Sequence, residues 1–348
     1  MAAVLSDAPA AVGQGQVVAG RSPWALAWGQ VRRNRLALAA LVLFLLIVVV
    51  SFAAPLYASH IAHVDPFSNN LNGTTVLHGK KVPLLVVGGG TLHLGETPIG
   101  PTWDIGNYFL GADSQGRDVF ARLLYGGRSS LEIGVGSAII ACAIATVIAL
   151  IAGFFGGLVD TLLSRLMDVI WAFPVYLLAI CISTELLTTS NGLKFGPLHV
   201  VATSLWLPIL IIGFIYVPYV YRPVRGHVLT VARKEFAEAA IAQGASNLRL
   251  MFSDILPNVV SVVIVLLPLM IATTILTESA LSFLSIGVQP PNASWGTIIN
   301  DGQQLLYTRP WVAIAPGIMI VLTVLALNVL GDGVRDALDP RAKLRVEG

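Results

Sequence analysis

Six long apolar stretches, each with few or no charges inside it, dominate this chain. The hydrocarbon core of a bilayer takes roughly 20 apolar residues of helix to cross. The stretches are Leu36–Ala54, Ile133–Leu158, Val169–Leu187, Val200–Tyr221, Ile255–Thr277 and Pro310–Leu330. Composition agrees, because 55% of the 348 residues are hydrophobic and only 11% are charged, whereas about 25% are charged in soluble domains. The sequence therefore predicts an all-α integral membrane protein with six transmembrane helices.

The distribution of cations predicts the orientation of these spans. Arg32, Arg33 and Arg35 directly precede the first span, and short cytoplasmic loops carry an excess of Lys and Arg. An even number of spans places both termini on that side. The remaining cations there are Arg165, Arg222, Arg225, Arg233, Lys234, Arg249, Arg335, Arg341, Lys343 and Arg345. The short loops on the other side hold only Lys194 and Arg309, so we expect cytoplasmic termini.

The spans divide the chain into five parts. Residues 1–35 form a cytoplasmic lead that ends in an interfacial helix, 36–54 the first span, and 55–130 a long segment outside the cytoplasm. Residues 131–331 form a five-helix core whose cytoplasmic loop is 231–257, and residues 332–348 form a cytoplasmic tail. Span two is rich in Gly, Ala and Ser, which permits close helix contact. We therefore expect span two to face other helices rather than lipid.

The long segment 55–130 is unusual for a loop and should have structure of its own. Thr75–Leu77 and Val82–Val87 flank residues 78–81 as a small hairpin, and Val119–Tyr125 reads as an amphipathic helix along the bilayer surface. Two roles stay open, namely contact with a partner protein and a cap that covers the end of the bundle.

Several function classes are excluded by what the chain lacks. A net charge of +2 without a basic cluster gives no reason to expect a nucleic-acid partner. Cys142 and Cys181 lie in apolar runs, too few for a disulfide framework or a zinc site. His60 and His63 have a spacing compatible with a metal, but solvated side chains are the favoured interpretation and no metal is predicted. Since no phosphate loop, HExxH or nucleophile elbow is present, we expect neither an enzyme nor a bound cofactor.

One cytoplasmic loop, EFAEAAIAQGASNLRLMFSDILP at 235–257, is charged where its neighbours are apolar. Residues 231–243, which include the start of this stretch, read as an amphipathic helix. The expected apolar side holds Val231, Phe236, Ala239 and Ala240, and the polar side holds Arg233, Lys234, Glu235 and Glu238. Gly244 ends that helix, and Ser246 or Asn247 caps a second one that runs toward Pro257. The prediction is two helices joined by a sharp bend.

This loop resembles the EAA loop of binding-protein-dependent ABC import permeases, with Glu238-Ala239-Ala240, three residues, Gly244, and then Leu256-Pro257. The resemblance implies a coupling helix that docks in a groove of a separate cytoplasmic ATPase. The expected coupling residues are Glu235, Glu238, Ala239, Ala240, Gly244, Ala245, Leu256 and Pro257. Asp254 departs from the family, which usually has isoleucine ten residues after the glycine; here Ile255 follows it.

A second motif narrows the resemblance to one branch of the family. Residues 111–119, GADSQGRDV, are similar to the GTDxxGRDV signature of dipeptide, oligopeptide and nickel permeases, carried here by Gly111, Asp113, Gly116, Arg117 and Asp118. Further matches to the C-type, second permease subunit of that branch lie at 156–160, 168–174, 281–287, 294–296 and 331–340, and the resemblance covers about residues 20–345.

The resemblance implies an importer in a prokaryotic plasma membrane with several partners. These are a homologous B-type permease, two ABC ATPases or an ATPase homodimer that bind ATP and Mg, and an extracytoplasmic binding protein, with membrane lipid around the spans. Peptide is the favoured cargo, while nickel or another small solute stays open. Thr273, Thr274, Thr277 and Glu278 are candidates for the pathway, although Glu278 could instead form a structural hydrogen bond to 281–287.

Two other classes remain as alternatives. An ion-coupled secondary transporter would use Glu278, Glu185 and Asp168 as ion carriers and would leave the EAA-like loop without a role. A signalling or scaffold protein would transport nothing.

Overall fold

The computed structural model describes Arg32 and residues 34–77, 79–87, 95–188, 193–195, 198–200 and 203–338. The lead before Arg32 and the tail after Leu338 lie outside the described residues. The main helices are α1 (Arg35–Phe52), α2 (Val119–Phe155), α3 (Gly157–Ala172), α4 (Val175–Thr188), α5 (Trp206–Ile215), α6 (Val217–Val231), α7 (Glu235–Ala242), α8 (Leu256–Phe283), α9 (Trp295–Gly302) and α10 (Trp311–Leu338). The architecture is helical, as predicted.

Four of the described helices, α1, α2, α8 and α10, are long and apolar enough to cross a bilayer alone. Two bent pairs are apolar enough when each is taken together: α3 with α4, bent by 87°, and α5 with α6, bent by 45°. The count is therefore four spans, or six if each bent pair is one span. The predicted span Val169–Leu187 is wrong as a single helix, because its first residues end α3 and the rest belongs to α4.

Proline explains where both bent pairs break. Phe173 is extended (φ −85°, ψ 136°) directly before Pro174, which is the conformation that a following proline ring imposes on its neighbour. Pro218 occupies the first turn of α6, where its missing N–H is tolerated. Pro268 and Pro316 lie inside α8 and α10, which run on without a break. The presence of a proline in a span therefore does not by itself predict that the helix bends there.

The surface helix predicted at Val119–Tyr125 is wrong, because these residues are the first turns of the 37-residue helix α2. Gly126 and Gly127 follow them without interrupting the helix. A Cβ on Gly127 would lie 2.9 Å from the Trp295 ring, and one on Gly126 would lie 2.9 Å from Ile298. The two glycines thus allow α9 to approach the backbone of α2 closely.

Helix α2 is the centre of the core, as its small residues predicted. It packs against α5, α6, α8 and α1, and Ala138, Ala141, Ala145, Ala149 and Ala152 are fully buried. Gly134 faces Ile275 of α8, and Gly153 faces Val228 of α6. Because these side chains are small, neighbouring helices come close enough for extensive dispersion contact.

The part of the long segment 55–130 that precedes α2 holds two hairpins. Strands β1 (Thr74–Leu77) and β2 (Lys80–Pro83) pair antiparallel with Leu77 opposite Lys80, and Gly79 has a φ of +76° in the turn. Strand β3 (Leu85–Val87) pairs with β4 (Glu96–Pro98) instead of extending β2. The predicted hairpin exists, but its second strand is shorter than expected. A third small hairpin, β5 (Leu193–Phe195) with β6 (Leu198–Val200), follows α4.

Candidate functional site

The first candidate site is the EAA-like loop, residues 232–255, between α6 and α8. Helix α7 ends in a Schellman motif: the N–H of Ala245 donates to the carbonyl of Ala240 (3.0 Å), and the N–H of Gly244 donates to that of Ile241 (2.9 Å). Gly244 has a φ of +79°, a conformation that only glycine adopts without strain. The predicted helix end at Gly244 is confirmed.

The chain after Gly244 turns sharply and enters α8. Ser246 caps the next turn, since its side chain accepts from the N–H of Arg249 (3.4 Å). A short π-helix at Leu250–Ile255 then leads directly into α8. The second helix therefore does not stop at Pro257, which sits in the first turn of α8. Ile255 is fully buried there, whereas Asp254 is half-buried.

The predicted division of α7 into apolar and polar sides is wrong. Helix α7 starts only at Glu235, after an extended Lys234, and Val231 belongs to α6. Ala237 is the fully buried residue of α7, while Phe236 and Ala239 are exposed. The break at residues 232–234 sets the rotation of α7 independently of α6, which a continuous helical period could not anticipate.

The exposed surface of the loop combines acids with large apolar side chains. Glu235 and Glu238 are exposed in the first turn of α7. The exposed apolar side chains are Phe236 (41%), Ile241 (58%), Leu248 (69%) and Phe252 (53%). None of these four residues was predicted as a contact residue, although their size, in a loop outside the spans, is a usable signal. Exposed apolar side chains of this size are typical of surfaces that contact another protein.

The four candidate pathway residues lie on α8, and three of them are buried inside the chain. Thr274, Thr277 and Glu278 are at most 1% exposed, whereas Thr273 is partly exposed. The hydroxyls of Thr277 and Tyr216 are 2.7 Å apart, and Thr274 donates to the carbonyl of Gly134 (2.8 Å). In this conformation Thr273 is the member of the set with a surface for solute, and the pathway role stays a prediction.

Glu278 is the centre of a buried serine network. Its carboxylate accepts from the hydroxyls of Ser130 (2.8 Å) and Ser282 (2.7 Å), and Ser130 in turn accepts from the N–H of Trp295 (3.1 Å). The structural hydrogen bond to the 281–287 region is therefore present. The network joins α2, α8 and the start of α9. Removing one of its hydrogen-bond partners is expected to destabilise the fold, because it would leave a buried polar group without a partner.

Ser130→Ala is expected to destabilise the chain by about 1–3 kcal/mol, because it removes a donor to Glu278 and an acceptor from Trp295 inside the bundle. The free energy of unfolding, from denaturant titration in mixed micelles, measures the effect. Ser129→Ala is the matched control, since Ser129 is partly exposed and its hydroxyl donates only to the carbonyl of Tyr125 (3.4 Å). Equal losses in both variants would contradict the network.

The second candidate site is the signature turn at the start of α2. Asp113 accepts from the N–H groups of Gln115 (2.9 Å) and Arg117 (3.0 Å). Gly111 and Gly116 have positive φ of 85° and 73°, and Asp118 caps α2 by accepting from the N–H of Ala121 (2.9 Å). The five signature residues thus form one turn that connects the long segment to α2.

A charge cluster of two acids and two bases adjoins this turn, and all of its members except Asp301 are buried. Arg117 pairs with Asp113 (2.7 Å) and with Asp301 of α9 (2.9 Å). Arg122, which is 3% exposed, pairs with the same carboxylate of Asp301 (3.0 Å) and donates to the carbonyl of Pro66 (3.3 Å). Neither Arg122 nor Asp301 was predicted as a site residue from the sequence. No local pattern links Asp301 to an arginine 184 positions earlier.

Asp118 is buried with one carboxylate oxygen, Oδ2, that has no hydrogen-bond partner among the described residues. Burial raises the pKa of Asp118 from 3.8 to about 6, and repulsion from Asp113 adds to this, while the N–H of Ala121 opposes it. The folded chain therefore keeps this proton to a higher pH than the unfolded chain does.

The free energy of unfolding is consequently expected to fall by about 3 kcal/mol as the pH rises from about 4 to about 6, because of Asp118 alone. Above about pH 6, Asp118 should cause no further change. Asp118→Asn keeps a capping oxygen and should remove this component, leaving the variant more stable than the parent chain at pH 7–8. Unfolding midpoints of both chains from pH 4 to 8 test the prediction. Parallel pH profiles would contradict it.

Helices α3 and α6 are joined by polar contacts at the end of the bundle that carries the EAA-like loop. Arg225 binds Asp160 through both carboxylate oxygens, and Arg222 pairs with Asp168 (3.1 Å). Asp168, a candidate ion carrier if the chain is an ion-coupled secondary transporter, is therefore in an ion pair. Glu185, the other such candidate on this bent pair, is exposed near the end of α4.

Comparison with known proteins places these features in a family. The family model for "binding-protein-dependent transport system inner membrane component" matches residues 145–344, and that for the "N-terminal TM domain of oligopeptide transport permease C" matches residues 22–72. The first range includes the EAA-like loop, and the second includes α1.

Curated relatives match along nearly the whole chain. The dipeptide transport system permease protein DppC of Alkalihalophilus pseudofirmus is 36% identical over 92% of this chain and 91% of its own length. The glutathione transport system permease protein GsiD is 32% identical in Pectobacterium atrosepticum, covering 93% of each chain, and 34% identical in Escherichia coli, covering 93% of this chain and 92% of its own length.

A solved structure, titled "Crystal structure of an amino acid ABC transporter with histidines", aligns with a TM-score of 0.45 and 13% identity over 61% of this chain and 92% of its own. That likeness is too low to bear on the assignment. The family models and the curated relatives suffice: the chain belongs to the binding-protein-dependent transport system inner membrane components, the permease subunits of ABC importers.

Proposed function

We propose that this chain is the C-type permease subunit of an ATP-driven importer of di- or oligopeptides. It forms half of the translocation path, and a homologous B-type permease forms the other half. The relatives' names refer to dipeptide and glutathione transport, which favours small peptides as cargo. Nickel and other small solutes are the alternatives that a direct transport assay would reveal.

The observation that carries the coupling role is the exposed surface of the EAA-like loop. Phe236, Ile241, Leu248 and Phe252 project apolar area beside Glu235 and Glu238 at one end of the bundle. Protein interfaces typically combine large apolar and aromatic side chains with charged ones. We assign this surface to a separate ATPase chain, which binds ATP and Mg, so that closure of the ATPases moves α6 and α8 through the rigid turn at Gly244.

The proposed arrangement has the EAA-like loop and both termini in the cytoplasm of a prokaryotic cell and the long segment outside. The binding protein would then meet the bundle at the long segment. Lys80 and Lys81 are exposed on β2 and are suitable for cross-linking. Cross-links from these lysines to the binding protein in the assembled complex would support docking there, and their absence would favour a segment that merely caps the bundle.

Purification of the tagged chain from its own membranes in mild detergent tests the proposal. We expect two ATPases, or two copies of one, a second permease and a binding protein to co-purify by mass spectrometry. Glu238→Arg should remove the ATPases and keep the second permease. Glu96→Arg, a reversal of an exposed acid in β4, is the matched control for the ATPase contact and should keep both the ATPases and the second permease. A wild-type chain that purifies alone would favour an ion-coupled secondary transporter.

A further inference from the structure

A groove of about 840 Å³ opens on the bundle between α6, α8 and α10, and its lining contains no residue of the EAA-like loop or of the signature turn. Its apolar wall comes mainly from one face of α8. That wall consists of Val262, Val265, Leu266 and Leu269. Its polar side chains are His227, Ser261, Asn328, Asp332 and Arg335. The volume lies within the range of sites that hold small organic molecules.

The charged side chains Asp332 and Arg335 lie toward one end of the groove, while the polar side chain of Asn328 lies about two turns deeper than Arg335 on α10. Arg335 lies in the last turn of α10, His227 lies one turn before the end of α6 at Val231, and Ser261 is near the start of α8. The apolar wall from Val262 to Leu269 continues deeper, over about 10 Å of helix. If α8 and α10, which are each long and apolar enough to cross a bilayer, span it with their ends at its surface, the charged end of the groove lies near the lipid headgroups and the apolar wall lies near the acyl chains.

The charges at the mouth consist of one acid and one base on the same face of α10. Asp332 and Arg335 are three residues apart, which places them side by side on the helix, and both are exposed. Among the described residues, the structure contains no ion pair for either of them. A ligand that matches the mouth carries an anion and a cation close together.

We propose that this groove binds a phospholipid whose headgroup bears a primary ammonium as well as the phosphate. Arg335 binds the phosphate oxygens, for which a guanidinium is well suited. Asp332 accepts from the ammonium, which has three N–H donors, and one acyl chain lies along Val265 and Leu269. A purely anionic headgroup would leave Asp332 facing a like charge, and a quaternary ammonium would have no N–H for it.

The test measures lipid retained by the assembled importer. The complex is reconstituted in nanodiscs of equal parts phosphatidylethanolamine and phosphatidylglycerol, extracted gently, and its bound phospholipid is counted by native mass spectrometry. We expect phosphatidylethanolamine to be enriched. Asp332→Asn should lower that enrichment about fivefold, and Arg335→Gln should lower retention of both lipids about fivefold. Val265→Trp, which fills the apolar wall, should lower retention of both as well.

Arg128→Gln is the control for loss of a positive charge, because Arg128 is an exposed arginine near the start of α2, a helix that does not line the groove, and is paired with Glu132. This variant should leave lipid retention unchanged. The same retention of both lipids in the parent, Asp332→Asn and Arg335→Gln complexes would overturn the proposal. So would a cross-link from position 265 to the second permease with no retained lipid, since the groove would then be a protein contact. Lipid counting needs neither cargo nor ATP, so its outcome is independent of the proposed cargo.

Discussion

Gly244→Pro is expected to abolish recruitment of the ATPases and to reduce transport to background, while the chain still inserts and binds the second permease. Proline holds φ near −65°, whereas Gly244 has a φ of +79° and donates its N–H to Ile241. The turn that orients α7 relative to the start of α8 therefore cannot form. Co-purification of the ATPases and cargo uptake into proteoliposomes measure the loss.

Two alanine variants provide the matched control for this prediction. Gly244 and Gly226 both have open space where a Cβ would project, but only Gly244 has a positive φ. Gly244→Ala should therefore cost about 1–2 kcal/mol in the turn and weaken ATPase binding partially, while Gly226→Ala should leave it intact. Wild-type amounts of ATPase on the Gly244→Pro chain would remove the coupling role from this turn.

Asp113→Ala is expected to destabilise the chain by about 3–5 kcal/mol, the cost of breaking a buried ion pair on one side. It removes the 2.7 Å partner of Arg117 and leaves that guanidinium, 9% exposed, with Asp301 alone. It also removes the acceptor of the N–H groups of Gln115 and Arg117. The free energy of unfolding in mixed micelles is the measurement.

Asp113→Asn separates the contribution of the ion pair from that of the hydrogen bonds in the turn, because the amide keeps an acceptor oxygen but has no charge. We expect a loss between that of Asp113→Ala and zero. Glu132→Gln is the control for a simple ion pair, since the Glu132 and Arg128 side chains are 32% and 44% exposed, and exposed pairs contribute at most about 1 kcal/mol. If Asp113→Ala cost no more than Glu132→Gln, the cluster would have no stabilising role.

Much of the architecture could be predicted because it depends on local sequence. Long apolar runs become helices wherever a bilayer excludes water from the backbone, so α1, α8 and α10 lie close to their predicted ranges. The break at Phe173 could not be placed in the same way. An apolar run shows how much helix can be buried but not where the chain bends, and Pro268 and Pro316 lie in helices that do not break.

The candidate sites divide in the same manner. The Schellman motif at Gly244 and the cap at Asp118 each involve residues within one or two turns of each other, so the sequence by itself determined them. Only the tertiary structure brought Asp301 to Arg117 and Arg122, enclosed Glu278 among serines, and turned Ala237 inward with Phe236 outward. These contacts and orientations depend on how separate helices rotate and approach one another. Packing between segments far apart in the chain determines both.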